Sequence, residues 1–160
     1  MSESEIIHSA AQLQAGDHIS WPTRKSCVHV SHHAIVVAQK GGDRIKIIHV
    51  RIDFLQAIGD SGCSGNSKTY AVREDVKDFS KQMEKGTLRR YVYEARDCQE
   101  PVDVIQNART QLGEYNFHPL DNNCEHFARW CKTGHRESYL VKSMRSVPGL
   151  EATARIYVCF

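Results

Sequence analysis

"HHAIVVAQKGGDRIKIIHVRID", residues 32–53, reads as two strands and the turn between them. Residues 32–39 are apolar and rich in β-branched side chains. KGGD supplies the turn, and 44–53 forms the second strand. Two strands joined by a tight turn are antiparallel. Around this hairpin, "GDHISWP" (16–22) reads as a turn into a strand that Pro22 stops, and "TLRRYVYEA" (87–95) alternates like a further strand. "PVDVIQNARTQLG" (101–113) predicts a helix with Pro101 at its start and Gly113 at its end. A second helix covers about 123–133 and stops at Gly134. Residues 1–15 read as a leader with a short helical turn, and 59–69 as a Gly/Ser-rich loop. Strands first and helices last predict an α+β fold, an antiparallel sheet packed against helices.

The bulk properties set limits. A chain of 160 residues holds one domain with a sizeable core. Its net charge of +2 comes with scattered Lys and Arg, which excludes a nucleic-acid footprint. The N-terminus lacks the basic start and apolar core of a signal peptide, and the longest apolar run, "AIVVA", is far short of a membrane span. The expectation is a cytoplasmic protein, not secreted, with no transmembrane segment and with its cysteines at 27, 63, 98, 124, 131 and 159 reduced. "GCSGNSKT" in the loop fails as a phosphate-binding motif because Ser67 stands where Gly is required. "GDSG" (59–62) has too little chain before it for a trypsin-like fold.

The chemistry gathers at "DNNCEHFARWCKTG", residues 121–134. Asn122 and Asn123 are good N-cap residues, so Cys124 falls at a helix tip. Unpaired N–H groups and the macrodipole favour an anion there, which predicts a lowered thiol pKa and a reactive thiolate. The same N–H groups can bind an oxyanion. A nucleophilic cysteine needs a base, and antiparallel pairing brings His32 or His33 near His49. His49 shares a face with Ile45 and Ile47 and is expected to point toward the core and the packed helices. Both faces of the first strand are apolar. Small Ala34 hints at close helix approach on the His32 side. Two other readings stand beside this one. Cys124 can be a buried small hydrophobe next to Phe127 and Trp130. Cys124, His126 and the hairpin histidines can also form a zinc site, which no C-x-x-C or H-x-x-x-H spacing supports.

"NCEHFARWC" resembles the Asn-Cys-Glu-His-Phe box of the lecithin:retinol acyltransferase-like proteins, which include the small phospholipase A/acyltransferases. "AGDHI", "HHAIVVA" and "IIHV" resemble that family's Gly-Asp-x-Ile box and its two histidine boxes, in the family's order. The resemblance covers about residues 14–135. It implies a circularly permuted NlpC/P60, papain-like fold, with 1–13 as leader and 136–160 as a C-terminal extension. It also implies roles: Cys124 as nucleophile, His32 as base, His49 as the group that orients it, and the Cys124 N–H as oxyanion donor. Glu125 and His126 would be structural. The implied substrate is a phospholipid or other acyl ester, processed through a cysteine thioester with no cofactor and no metal. The alternatives are a cysteine peptidase of the related permuted type, which removes ubiquitin-like modifiers, and a non-catalytic binding protein.

The chain departs from the family pattern in three places. His33 stands where an aromatic residue is usual, which makes His33 the alternative base. "AQKGGDR" lengthens the hairpin between His32 and His49. The tail "VPGLEATARIYVCF" offers no hydrophobic anchor, so lipid access would rest on peripheral docking, with "RIYVCF" the favoured segment.

Overall fold

The computed structural model describes residues 3–25, 28–54 and 68–148. Cys27, Cys63, Cys159, most of the 59–69 loop and the "RIYVCF" docking segment lie outside the described residues. The strands are β1 (Ser4–Ile6), β2 (His18–Lys25), β3 (Val28–Gln39), β4 (Arg44–Phe54), β5 (Lys68–Asp78), β6 (Arg89–Tyr91) and β7 (Gly113–Glu114). They form one antiparallel sheet in the order β1-β6-β2-β3-β4-β5-β7. Among the described residues the helices are α1 (Ser80–Glu84), α2 (Pro101–Thr110), α3 (Cys124–Thr133) and α4 (Tyr139–Arg145). The fold is α+β, as the hairpin and the late helices predict.

Both faces of the sheet are covered. Alternation along β3 and β4 sends Ala34, Val36, Ile45 and Ile47 to one core, with Trp21, Ile7, Leu13, Phe79 and Met83. Ile35, Ile48 and Val50 go to the other core, beneath α2 and α3, with Val104, Ala108, Phe127 and Cys131. Burying both faces is why neither side of the hairpin is polar. It also corrects two expectations. The long helices approach on the Ile35 side, not on the side of Ala34. His49 lies on the same face as Ile47, away from α2 and α3.

Other boundaries differ for local reasons. β2 runs through Pro22, which pairs with Ser31. β6 reaches β2 only at Ile19 and Ser20, so no second neighbour asks Pro22 for an N–H. Of the strand expected over 87–95, only Arg89–Tyr91 forms. Residues 3–13 pair through β1 with β6 and bury Ile7, Ala10 and Leu13. β5 has no counterpart in the sequence reading. Arg73, Asp75 and Lys77, on the face of His49, Ile47 and Ile45, are charged, and Glu74 is charged on the other face, which hides the alternation.

The feature that makes the site is a parting of strands. β3 and β4 pair from Gln39↔Ile45 to Ala34↔His49 and no further. Beyond that point β3 continues along β2, and β4 continues along β5. A cleft opens between Ser31–His32 on one side and Val50–Ile52 on the other.

Candidate active site

α3 delivers Cys124 to this cleft. The chain leaves the sheet at β7, beside Val72 of β5, and returns through a loop closed by the His118↔Asn122 bridge. Tyr115 donates its O–H to Asn122 Oδ1 at 2.6 Å, and Asn123 Nδ2 donates to the Pro119 carbonyl at 2.9 Å. Asn123 is the N-cap. Its Oδ1 accepts the N–H of Glu125 at 2.9 Å and of His126 at 3.1 Å. His126 Nδ1 accepts the Asn123 N–H at 3.1 Å, completing a reciprocal cap. Gly134, with φ at +80°, ends the helix in the left-handed conformation that a residue without Cβ adopts at no steric cost. Gly16 serves α2 in another way: with φ at +86°, a Cβ there would lie 2.8 Å from Pro101 Cα.

Cys124 Sγ lies 3.8 Å from the Ser31 carbonyl oxygen. The cleft holds a cavity of about 360 Å³ whose lining includes Cys124, His32, His49, Val50, Ile52, Tyr70 and Phe117. The rings of Tyr70 and Phe117 stack at 4.2 Å and form an apolar wall. His32 Nε2 and His49 Nδ1 are 2.8 Å apart. His49 Nε2 is 2.8 Å from Asp75 Oδ2, and Arg51 Nη1 contacts both oxygens of that carboxylate at 3.1 and 3.0 Å. Trp21 packs edge-on to His32.

Burial sets the protonation states. It lowers the pKa of His49 despite the opposing pull of Asp75. It acts to raise Asp75, but the bonds from His49 and Arg51 prevail and hold the carboxyl below its ordinary range. The pair is therefore a neutral imidazole donating to a carboxylate. For Cys124 the outcome reverses the helix-tip expectation. Burial pushes the thiol up to about 11, outweighing the N–H groups of His33, Cys124 and Glu125 that draw it down. The resting group is a thiol.

The structure thus brings Cys124, His32 and His49 to one cavity. The His33 ring lies elsewhere. Its Nδ1 is 2.8 Å from His18 Nε2, and His18 Nδ1 is 2.8 Å from the Tyr93 hydroxyl. Burial lowers His33 to about 4, with Arg129 assisting and Glu125 opposing. Glu125 accepts from Arg129 Nε at 2.9 Å and from the Ser138 hydroxyl at 2.6 Å. This network ties α3 to α4. Among the described residues no group of three His, Cys, Asp or Glu side chains is placed to hold a metal ion. Cys131, on the helix with Cys124, is buried in the core and pushed up to about 12 by that burial.

Sequence reasoning missed Asp75, Arg51, Tyr70 and Phe117. For Asp75 the signal was present but faint: in "YAVREDV" (70–76), Tyr70, Val72, Glu74 and Val76 alternate with Ala71, Arg73 and Asp75.

These elements define an α+β protein with a cysteine at a helix tip and paired histidines in one apolar cleft. The family model described as Lecithin retinol acyltransferase matches residues 11–137. The chain belongs to that family, and membership supports an acyltransferase-type function in general terms. Searches of curated proteins and of solved structures found no match. Among the described residues no helix is long and apolar enough to cross a membrane.

Proposed function

We propose that the protein is a thiol-dependent acyltransferase or phospholipase A acting on phospholipids or other acyl esters. The observation that carries this reading is the shared cavity of Cys124, His32 and His49, whose apolar wall of Val50, Ile52, Tyr70 and Phe117 suits a hydrocarbon chain. The same wall offers little to a polar peptide, which argues against the peptidase alternative. The seclusion of the His33 ring from the cavity favours His32 as base.

The Cys124 thiol gives its proton to His32 as Sγ attacks the ester carbonyl. The N–H of Cys124, at the first position of α3, supports the oxyanion. The tetrahedral intermediate collapses, and the leaving alkoxide takes the proton from His32. Cys124 then carries the acyl group as a thioester. Water, an amine or an alcohol attacks it with His32 again as base, and the thiol returns. His49 holds the His32 ring in place. With the thiol raised to about 11, general-base removal of the proton is needed at neutral pH.

The test is mass spectrometry of the Cys124 peptide after incubation with mixed phosphatidylcholine and phosphatidylethanolamine vesicles. The expected result is an acyl adduct on wild type, none on Cys124→Ser or His32→Ala, and retention in Cys131→Ala. Acylation that survives His32→Ala but not His33→Ala would transfer the base to His33. Wild type without any adduct would remove the reading.

A further inference from the structure

We propose that Asp75 is a positioning residue of this site: it fixes the tautomer of His49 and, through it, the nitrogen of His32 that accepts the thiol proton. The proposal rests on the reading of Cys124 and His32 given above.

A neutral imidazole carries one N–H, so of its two nitrogens one donates and the other accepts. An ionised carboxylate only accepts. At 2.8 Å from Asp75 Oδ2, His49 Nε2 must hold the proton. His49 Nδ1 then holds a lone pair. His32 Nε2, 2.8 Å from that lone pair, must donate to it. The N–H of neutral His32 is thereby placed on Nε2, and Nδ1 becomes the basic nitrogen. When the thiol proton moves to His32 Nδ1, the electron pair stays on sulfur. The imidazolium that forms directs its Nε2–H along a chain that ends in a negative charge. Asp75 takes no proton at any step.

Arg51 keeps the terminus anionic through two contacts to the carboxylate. Two further cations lie on this face: Arg73, the register partner of His49, and Lys77, over the Trp21 and Phe79 rings. Lys77 adds to the bias against a charged His49. The placement is specific to the register. Asp75 pairs with Ile47 and lies diagonally from His49, on the same face of the sheet.

Asp75→Ala makes the decisive variant. Asp75 Oδ2 accepts from both His49 Nε2 and Arg51 Nη1, and alanine removes that acceptor. Water then serves His49 as donor or acceptor, so the His49 proton is no longer held on Nε2, and in the Nδ1–H form His32 takes the tautomer whose own Nδ1 is already protonated. Asp75→Asn still offers an amide oxygen in the Oδ2 position and removes only the charge.

The readouts are the alkylation of Cys124 by iodoacetamide near neutral pH, followed by peptide mass spectrometry, and long-range ¹H–¹⁵N correlation of ¹⁵N-histidine-labelled protein. Alkylation of Asp75→Ala should fall about 10-fold or more, by the same logic that makes the wrong tautomer costly in serine triads. Asp75→Asn, which keeps an acceptor, should lose less, and Asp75→Glu, which keeps acceptor and charge, less again. His49 should carry its proton on Nε2 in wild type and populate the Nδ1 form in Asp75→Ala, whereas a merely structural role leaves the Nε2 form in place. Protonation at Nδ1 in wild type overturns the proposal, as does an unchanged Nε2 form in Asp75→Ala, or alkylation of Asp75→Ala within about 2-fold of wild type while His32→Ala is slow. Alkylation indifferent to His32→Ala would sink the catalytic reading, and the proposal with it.

Discussion

Ala34 and His49 are the last residues that β3 and β4 pair before the strands part. That single pairing puts His49 within 2.8 Å of His32, two residues earlier on β3 and on the same face as Ala34. It also ends the sheet where α3 can lower Cys124 beside the Ser31 carbonyl. Residues of opposite faces meet in one cleft because the β3–β4 pairing does not continue between them.

Acid should destabilise the protein through His33. Burial lowers this histidine from an ordinary 6.5 to about 4. Between those values the unfolded state binds more protons than the folded state, so stability rises with pH. The contribution is fully present above about pH 6.5 and is lost as pH falls toward 4, an effect of ~3 kcal/mol. Urea unfolding at a series of pH values measures it. His33→Phe, which fills the site with a ring that cannot charge, should flatten this slope. An unchanged slope would assign it to other groups, with His18 and Glu125 the nearest.

Asn123→Ala should cost about 1–2 kcal/mol of stability, because one side-chain oxygen accepts two N–H groups of the first turn of α3. It should also slow acylation of Cys124, which is the next residue. Asn123→Ser retains an acceptor but loses the donation to Pro119, and should fall between Ala and wild type. Thermal melts read the first effect and adduct formation the second. Full activity in a destabilised Asn123→Ala would separate the cap from the chemistry.

Glu125→Ala should be among the most destabilising substitutions in the helix, at ~3–5 kcal/mol. It leaves the buried guanidinium of Arg129 without its anion, and Arg129 Nη2 already has no hydrogen-bond partner among the described residues. It also releases the Ser138 hydroxyl and the N–H groups of Tyr139 and Leu140. Hydrogen exchange should rise selectively over 138–145. Glu125→Gln, which keeps an acceptor, should be milder. Equal and small effects in both variants would show that α4 holds without this anchor.

What was legible in the sequence is what neighbours along the chain decide. Asn123 followed by an amphipathic run and Gly134 specifies a helix with Cys124 at its first position. The hydrogen bonds that cap it are made within a few residues. Pro101 opens α2 for the same kind of local reason, and KGGD turns the hairpin. The four boxes name the family because residue type and order are properties of the chain itself. Tertiary structure decided the rest. Both faces of β3 are apolar because both are covered, so parity alone could not say which histidine meets Cys124. The parting of β3 from β4 depends on which partner each strand keeps, a choice made across the sheet. Asp75 enters the site through its register with β4, from a strand whose charges on both faces conceal its period. The thiol pKa follows the same rule. A helix tip by itself favours the thiolate, but how much water the fold leaves around Cys124 determines the sign, and burial there outweighs the dipole.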